Sequence, residues 1–129
     1  MEIEHGIGAD IIMAFDECTS FPCEYQHAKQ SMELTLRWAT RCKKHHEILS
    51  EEQKHRPSQA LFGIVQGSTF PELRIHCANE LASMELPGYA IGGLAVGEPR
   101  NNMVEIVAET TPHMPFKKPR YLMGVGLPH

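Results

Sequence analysis

The chain has 129 residues, of which 42% are apolar and 22% charged, with a formal net charge of −4. This balance excludes a disordered tail, and it excludes a polycation that finds nucleic acid by bulk charge. No apolar run reaches the roughly 18–20 residues of a membrane helix, and the acidic opening MEIEHGIGAD has no signal-peptide core, so a cytoplasmic protein without membrane partners is expected. By length alone the chain reads as one domain.

Residues 9–15 form an apolar run between Gly8 and Asp16 and predict a buried strand. Residues 24–48 carry Ala28, Met32, Leu36 and Ala39 at helical spacing, with Lys43, Lys44, His45 and His46 at the carboxyl end, where positive charge suits the helix dipole. A second strand is expected at 60–65. A helix follows, opened by Thr69 and Glu72 as a capping box, with Pro71 in its first turn and Leu73, Cys77, Leu81 and Met84 as its buried stripe. Pro87-Gly88 turns into a third strand at 89–94. Asn102 and Glu105 suggest another capping box, with Met103, Ile106 and Val107 facing inward until Pro112. A last strand is expected at 120–125. Strands alternating with helices give parallel strands and right-handed crossovers.

Cys18, Cys23, Cys42 and Cys77 contain no C-x-x-C pair and read as reduced thiols. His45 and His46, with His55 nearby, read as a solvated helix end rather than a metal site, because helix neighbours at i and i+1 point apart. Two basic strips, Arg37-Arg41-Lys43-Lys44 and Lys117-Lys118-Arg120, read as solvated surface.

In parallel α/β folds ligands bind at the carboxyl ends of the strands. Asp16 and Cys18 follow the first expected strand, and Gln66-Gly67 the second. Gly92-Gly93-Leu94 with Glu98 follows the third, and Met123-Gly124-Val125-Gly126 the fourth. A carboxylate can accept two N–H bonds from an amidine-like edge, and a carboxamide can donate to a carbonyl. Glycines let backbone N–H groups approach a planar ring, and a methionine can cover its face. Each residue also has a plainer reading. Asp16 suits a cap, Gly92-Gly93 a packing turn, and Gln66 and Glu98 solvated loops. Gly124-x-Gly126 alone is a weak nucleotide signal.

Four segments carry more information together. MAFDECTSFP at 13–22, LFGIVQGS at 61–68, YAIGGLAVGE at 89–98 and KPRYLMGVGLP at 118–128 resemble the tRNA-guanine transglycosylase family, in the family's order and across nearly the whole chain. The resemblance implies a (β/α)₈ barrel with a zinc-binding insertion and a homodimer. It also implies an enzyme of queuosine biosynthesis that exchanges guanine at the tRNA wobble position for a deazaguanine, using an aspartate nucleophile and an aspartate acid/base. By motif, Asp16 binds the guanine-like edge, Gln66 its carbonyl side, and Gly92 and Gly93 supply backbone. The Leu94 carbonyl faces the 7-substituent, Glu98 orders the loop, Met123 stacks on the base, and Gly124, Val125 and Gly126 touch RNA.

Cys18 and the pair Ala95-Val96 resemble bacterial members, which implies 7-aminomethyl-7-deazaguanine as the incoming base; Val96 would limit room for a bulkier substituent. The segments that carry the nucleophile, the acid/base and the zinc ligands have no counterpart in the chain, so catalytic residues and a metal site are expected outside it. Leu127 and His129 also depart from the family's pattern. Residues 1–129 are therefore expected to be a partial (β/α)₈ barrel of four parallel strands and three crossover helices. It is expected to hold base-recognition residues, to be inactive alone, and to be aggregation-prone, with Ile12, Ile64, Ile91 and Leu122 uncovered on its open interior. The alternative is a purine-base-binding module or subunit that needs a partner chain.

Overall fold

The computed structural model describes residues 1–54 and 57–125. Helix α1 spans Glu2–Ile7, strand β1 Ile11–Met13 and helix α2 Tyr25–Glu52. Strand β2 spans Ala60–Val65, helix α3 Pro71–Ser83, strand β3 Gly88–Ile91 and helix α4 Arg100–Thr110. A 3₁₀ turn at Thr111–His113 leads into strand β4, Arg120–Leu122. The strands form one sheet in the order β1-β2-β3-β4, and each neighbouring pair is parallel. Three crossover helices and four parallel strands make the arc of a partial (β/α) barrel.

Period-two alternation sorts the strands into two faces. The register pairs Ile12 with Leu61, Gly63 with Tyr89, and Ile91 with Leu122, and this face lies under the helices. Ile12, Leu61, Val65, Tyr89 and Ile91 join Met32, Ala39, Leu73, Cys77, Leu81 and Ile106 in one core. Gly63 is needed there, since a Cβ would stand 2.8 Å from a Leu86 methyl group. The opposite face carries Ile11, Met13, Phe62, Ile64, Ala90 and Tyr121. On it Phe62 and Ile64 are buried, whereas Ile11 and Tyr121 are 51% and 49% exposed.

The expected open interior is therefore corrected. Ile12, Ile91 and Leu122 lie on the helix face, and Ile64 is 2% exposed. The uncovered apolar residues beside them are Ile11, Phe15 and Tyr121.

Several boundaries also differ. Strand β1 is three residues long rather than 9–15, because an edge strand is held on one side only; the Ala14 N–H still donates to the Phe62 carbonyl at 2.9 Å. Strands β3 and β4 end at Ile91 and Leu122, where the chain leaves the ladder for turns. Helix α2 continues to Glu52, so the Lys43–His46 cluster is interior to it and its last turn carries no basic residue. His46 is not a solvated end, since its Nδ1 meets His5 Nε2 at 2.9 Å. His55 lies outside the described residues.

Both capping boxes are absent. Helix α3 is capped at Phe70 with Pro71 in its first turn, and α4 begins at Arg100 after Pro99; neither has a side-chain cap bond. A proline that opens a helix moves its start away from the Ser/Thr/Asn that sequence inspection favours. Helix α1 was not expected from its sequence. It docks through His5, through Glu4 accepting from the Met13 N–H at 3.3 Å, and through Gln59 donating to the Glu4 carbonyl at 3.2 Å. Among the described residues no helix is long and apolar enough to cross a membrane.

Candidate functional site

The carboxyl ends of the strands bring the polar residues together. The segment after β1 is held by α2: Glu17 N–H donates to Thr35 Oγ1 at 3.0 Å, and Ser31 Oγ donates to the Glu17 carbonyl at 3.1 Å. This leaves Asp16 half-buried and facing the end of β2. There Gln66 Nε2 donates to Asp16 Oδ2 at 2.6 Å. Gln66 is 2% exposed, so the solvated-loop reading is excluded for it.

The turn after β3 closes over this pair. Gly92 and Gly93 are both buried. A Cβ on Gly92 would stand 2.8 Å from Gln66 Nε2, and one on Gly93 would stand 2.2 Å from Gln66 Oε1. Gly93 also has φ +64°, a left-handed conformation that excludes side chains at low cost. Backbone and carboxamide therefore meet with no space for a Cβ. Leu94 is buried beneath the turn.

Glu98 accepts from the Ala95 N–H and, at 2.9 Å, from the Val96 N–H. Ala95 itself has φ +59°, so its carboxylate partner holds a strained turn. Partial burial opposes ionisation of Glu98. The N–H donors of Ala95, Glu98 and Val96 and the nearby Arg74 charge outweigh it, and the carboxyl is held below its ordinary value.

Cys18 sits at the rim and is exposed, its Sγ 3.8 Å from the Thr19 carbonyl. Partial burial of its sulfur pushes the thiol up, Asp16 adds to this, and a hydrogen bond from the Gly93 backbone partly offsets both. Past β4, Met123 is half-buried and its N–H donates to the Ile91 carbonyl at 3.1 Å. Gly124, at φ +72°, lies against the turn after β3: a Cβ there would be 3.5 Å from the Leu94 carbonyl oxygen. Val125 is exposed, and Gly126 lies outside the described residues.

One residue of the site was not foreseen. Arg74, on α3, is 0% exposed; its Nε donates to the Ser68 carbonyl at 2.5 Å and its Nη2 to the Gly93 carbonyl at 3.0 Å. Burial lowers its pKa to about 10, against the nearby thiols and Glu98, which raise it. The spacing of Arg74 with Ala78 and Leu81 puts it on the buried stripe of the helix, and that spacing was the available signal.

Among the described residues no three His, Cys, Asp or Glu side chains converge on a point that could hold a metal ion.

Fold and site together define a parallel β/α barrel segment whose strand ends bring a carboxylate and a carboxamide together under a closely packed glycine turn. The family model described as queuine tRNA-ribosyltransferase matches residues 1–129. A queuine tRNA-ribosyltransferase of Caldanaerobacter subterraneus is 55% identical over 128 residues, which covers 99% of this chain and 32% of that protein. The protein of the same name from Ruminiclostridium cellulolyticum is 56% identical over 128 residues, with the same coverage. That from Koribacter versatilis is 54% identical, covering 99% and 35%. The chain belongs to the queuine tRNA-ribosyltransferase family. It spans about a third of the length of these relatives.

Proposed function

We propose that this chain is the base-recognition part of a transferase that exchanges guanine at the tRNA wobble position for 7-aminomethyl-7-deazaguanine. The observation that supports this most is the pairing of Asp16 with Gln66 beneath the Gly92-Gly93 turn. In this reading the second Asp16 oxygen accepts from N1 and the 2-amino group of the base. The Gln66 carboxamide and the Gly93 N–H serve its carbonyl oxygen, and the Leu94 carbonyl faces the 7-substituent. Met123 covers the ring, Cys18 lies at its rim, and Gly124 and Val125 meet the tRNA backbone. Val96, 37% exposed, restricts the size of the 7-substituent.

The chain has two aspartates, Asp10 and Asp16. Asp10 precedes β1, and Asp16 is engaged by Gln66. In this reading neither stands in the segment type that carries the family's nucleophile, and glycosyl transfer belongs to polypeptide beyond these residues, along with the family's zinc and its dimer. The same observation supports a second reading, a purine-binding subunit completed by a partner chain in the cytoplasm.

Calorimetry with guanine tests recognition: binding that Asp16→Ala abolishes is expected, and no binding by the unmodified chain overturns the reading. An assay of labelled guanine exchange into tRNA tests the division of labour. Turnover by the chain alone would place the nucleophile within it.

A further inference from the structure

Arg74 carries a charge buried under the strand ends, with Glu98 the nearby carboxylate. Among the described residues no carboxylate forms an ion pair with it, and its Nη1 is buried without a hydrogen-bond partner. Burying a guanidinium is costly, and an apolar side chain would pack the α3 face more cheaply. What the guanidinium does that an apolar residue cannot is hold two carbonyls at once. One belongs to Ser68, in the turn after β2, and the other to Gly93, in the turn after β3. Both are left-handed: Ser68 has φ +51°, rare for a non-glycine residue, and Gly93 has φ +64°. The fit around Arg74 is close on its own strand–helix side too, since a Cβ on Gly67 would stand 2.9 Å from the Arg74 backbone nitrogen.

We propose that Arg74 is a positioning residue of the base site, its planar fork tying the Gly67-Ser68 turn to the Gly92-Gly93 turn; by holding the Gly93–Leu94 peptide plane it keeps Gly93 in the left-handed turn that presents its N–H. It acts through Gly93 and does not touch the base. Lysine, a point donor without the fork, replaces it only in part. The inference rests on the base site described under Proposed function, and its test separates the two.

The full chain is compared with Arg74→Lys and Arg74→Met. In the unmodified chain the Arg74 Nε–H exchanges with solvent at least about a hundredfold more slowly than that of exposed Arg37, as a buried charge-assisted bond requires. In Arg74→Met the amides of Gly92 and Ala95, which bond to the Val65 carbonyl and to Glu98, exchange about tenfold faster than in the unmodified chain.

Affinities are then measured for guanine, 2-aminopurine, which lacks the carbonyl oxygen and with it the N1 proton, and hypoxanthine, which lacks the 2-amino group; the Asp16 contribution cancels when variant and unmodified chain are compared. Arg74→Met loses about tenfold of the preference for guanine over 2-aminopurine and keeps the preference over hypoxanthine; Arg74→Lys falls between. Equal loss of both preferences, or Nε–H exchange as fast as that of Arg37, overturns the proposal. If the unmodified chain binds none of the three bases, the base-site reading fails, and unchanged exchange at Gly92 and Ala95 then overturns the clamp by itself. If Arg74→Met does not fold, the Nε–H exchange and Arg74→Lys decide the question.

Discussion

Gln66 donates its carboxamide N–H to Asp16 across 2.6 Å, joining residues 50 positions apart at the ends of two adjacent strands. The contact orients both groups. The carboxamide can present only its oxygen side and its other N–H to a ligand, and the carboxylate keeps one oxygen for a donor. Asp16→Asn is expected to weaken guanine binding about tenfold to a hundredfold, the range for a lost hydrogen bond to a charged group. Hypoxanthine, which lacks the amino group but keeps the N1 proton, should be weakened less than guanine. Isothermal calorimetry distinguishes the two, and equal weakening of both would remove Asp16 from recognition of the 2-amino edge.

Glycine substitutions separate crowding from conformation. Gly93→Ala combines a left-handed φ with a Cβ 2.2 Å from Gln66 Oε1. It should cost at least about 1–2 kcal/mol from the backbone alone and lower the melting temperature by several degrees. Gly6→Ala meets nothing within 4 Å and lies inside helix α1. It should favour that helix by about 0.5–1 kcal/mol, seen as slower amide exchange over residues 2–7.

The loop that Glu98 holds should respond to acid. Its carboxyl is depressed, so the ordering it supplies is complete above the ordinary value of 4.5 and is lost as pH falls through the lower value in the folded chain. Amide shifts of Ala95 and Val96 are expected to titrate together below pH 4.5 and to stop titrating in Glu98→Gln. A flat profile in the unmodified chain would contradict the assignment.

A second pH response is expected at the other end of the molecule. Burial and the neighbouring His5 ring lower the His46 pKa below 6.5, and Glu47 and Glu4 oppose this weakly. The unfolded chain therefore takes up the proton first. The stability that α1 draws from the His5–His46 contact is complete above 6.5 and declines as pH drops toward the lower folded value. Hydrogen exchange over residues 2–7 at pH 7.5 and pH 5.5 checks it; equal protection at both would count against it.

The two faces of β1 predict opposite outcomes for neighbouring substitutions. Ile11 is 51% exposed and Ile12 is 3% exposed. Ile11→Lys should change stability by less than about 1 kcal/mol while raising the concentration at which light scattering detects aggregates, because a charged edge resists strand pairing. Ile12→Lys should prevent folding, as an unpaired charge in the core.

Much of this was legible in the residues, for identifiable reasons. Ala60–Val65 is flanked by polar turns and β-branched within, and its bounds in the structure are those its sequence predicts. The alternation of strand and helix marked the parallel sheet. Edge effects were not legible: β1 and β4 each pair on one side only, and apolar residues beyond them leave the ladder although they look strand-like. Helix α1 escaped notice because its sequence lacks an amphipathic repeat and its stability comes from His46, Met13 and Gln59 far along the chain. Arg74 escaped because a charged residue on a helix reads as solvent-facing unless its spacing is weighed against its neighbours. The residues at the strand ends stood out through the four motif segments that carry them, since each one alone also suits a cap, a packing turn or a solvated loop.

The strand order in space repeats the order in the chain. No strand has to slip between two that are already paired, and each new β/α unit needs only the edge left by the one before. The sheet can therefore grow in step with synthesis, as the chain emerges from its amino end. The candidate site is distributed along that growth: Asp16 comes with the first strand, Gln66 and Arg74 with the second unit, Gly93 with the third and Met123 with the fourth. A chain stopped after α3 would hold the carboxylate–carboxamide pair but lack the turn that closes over it.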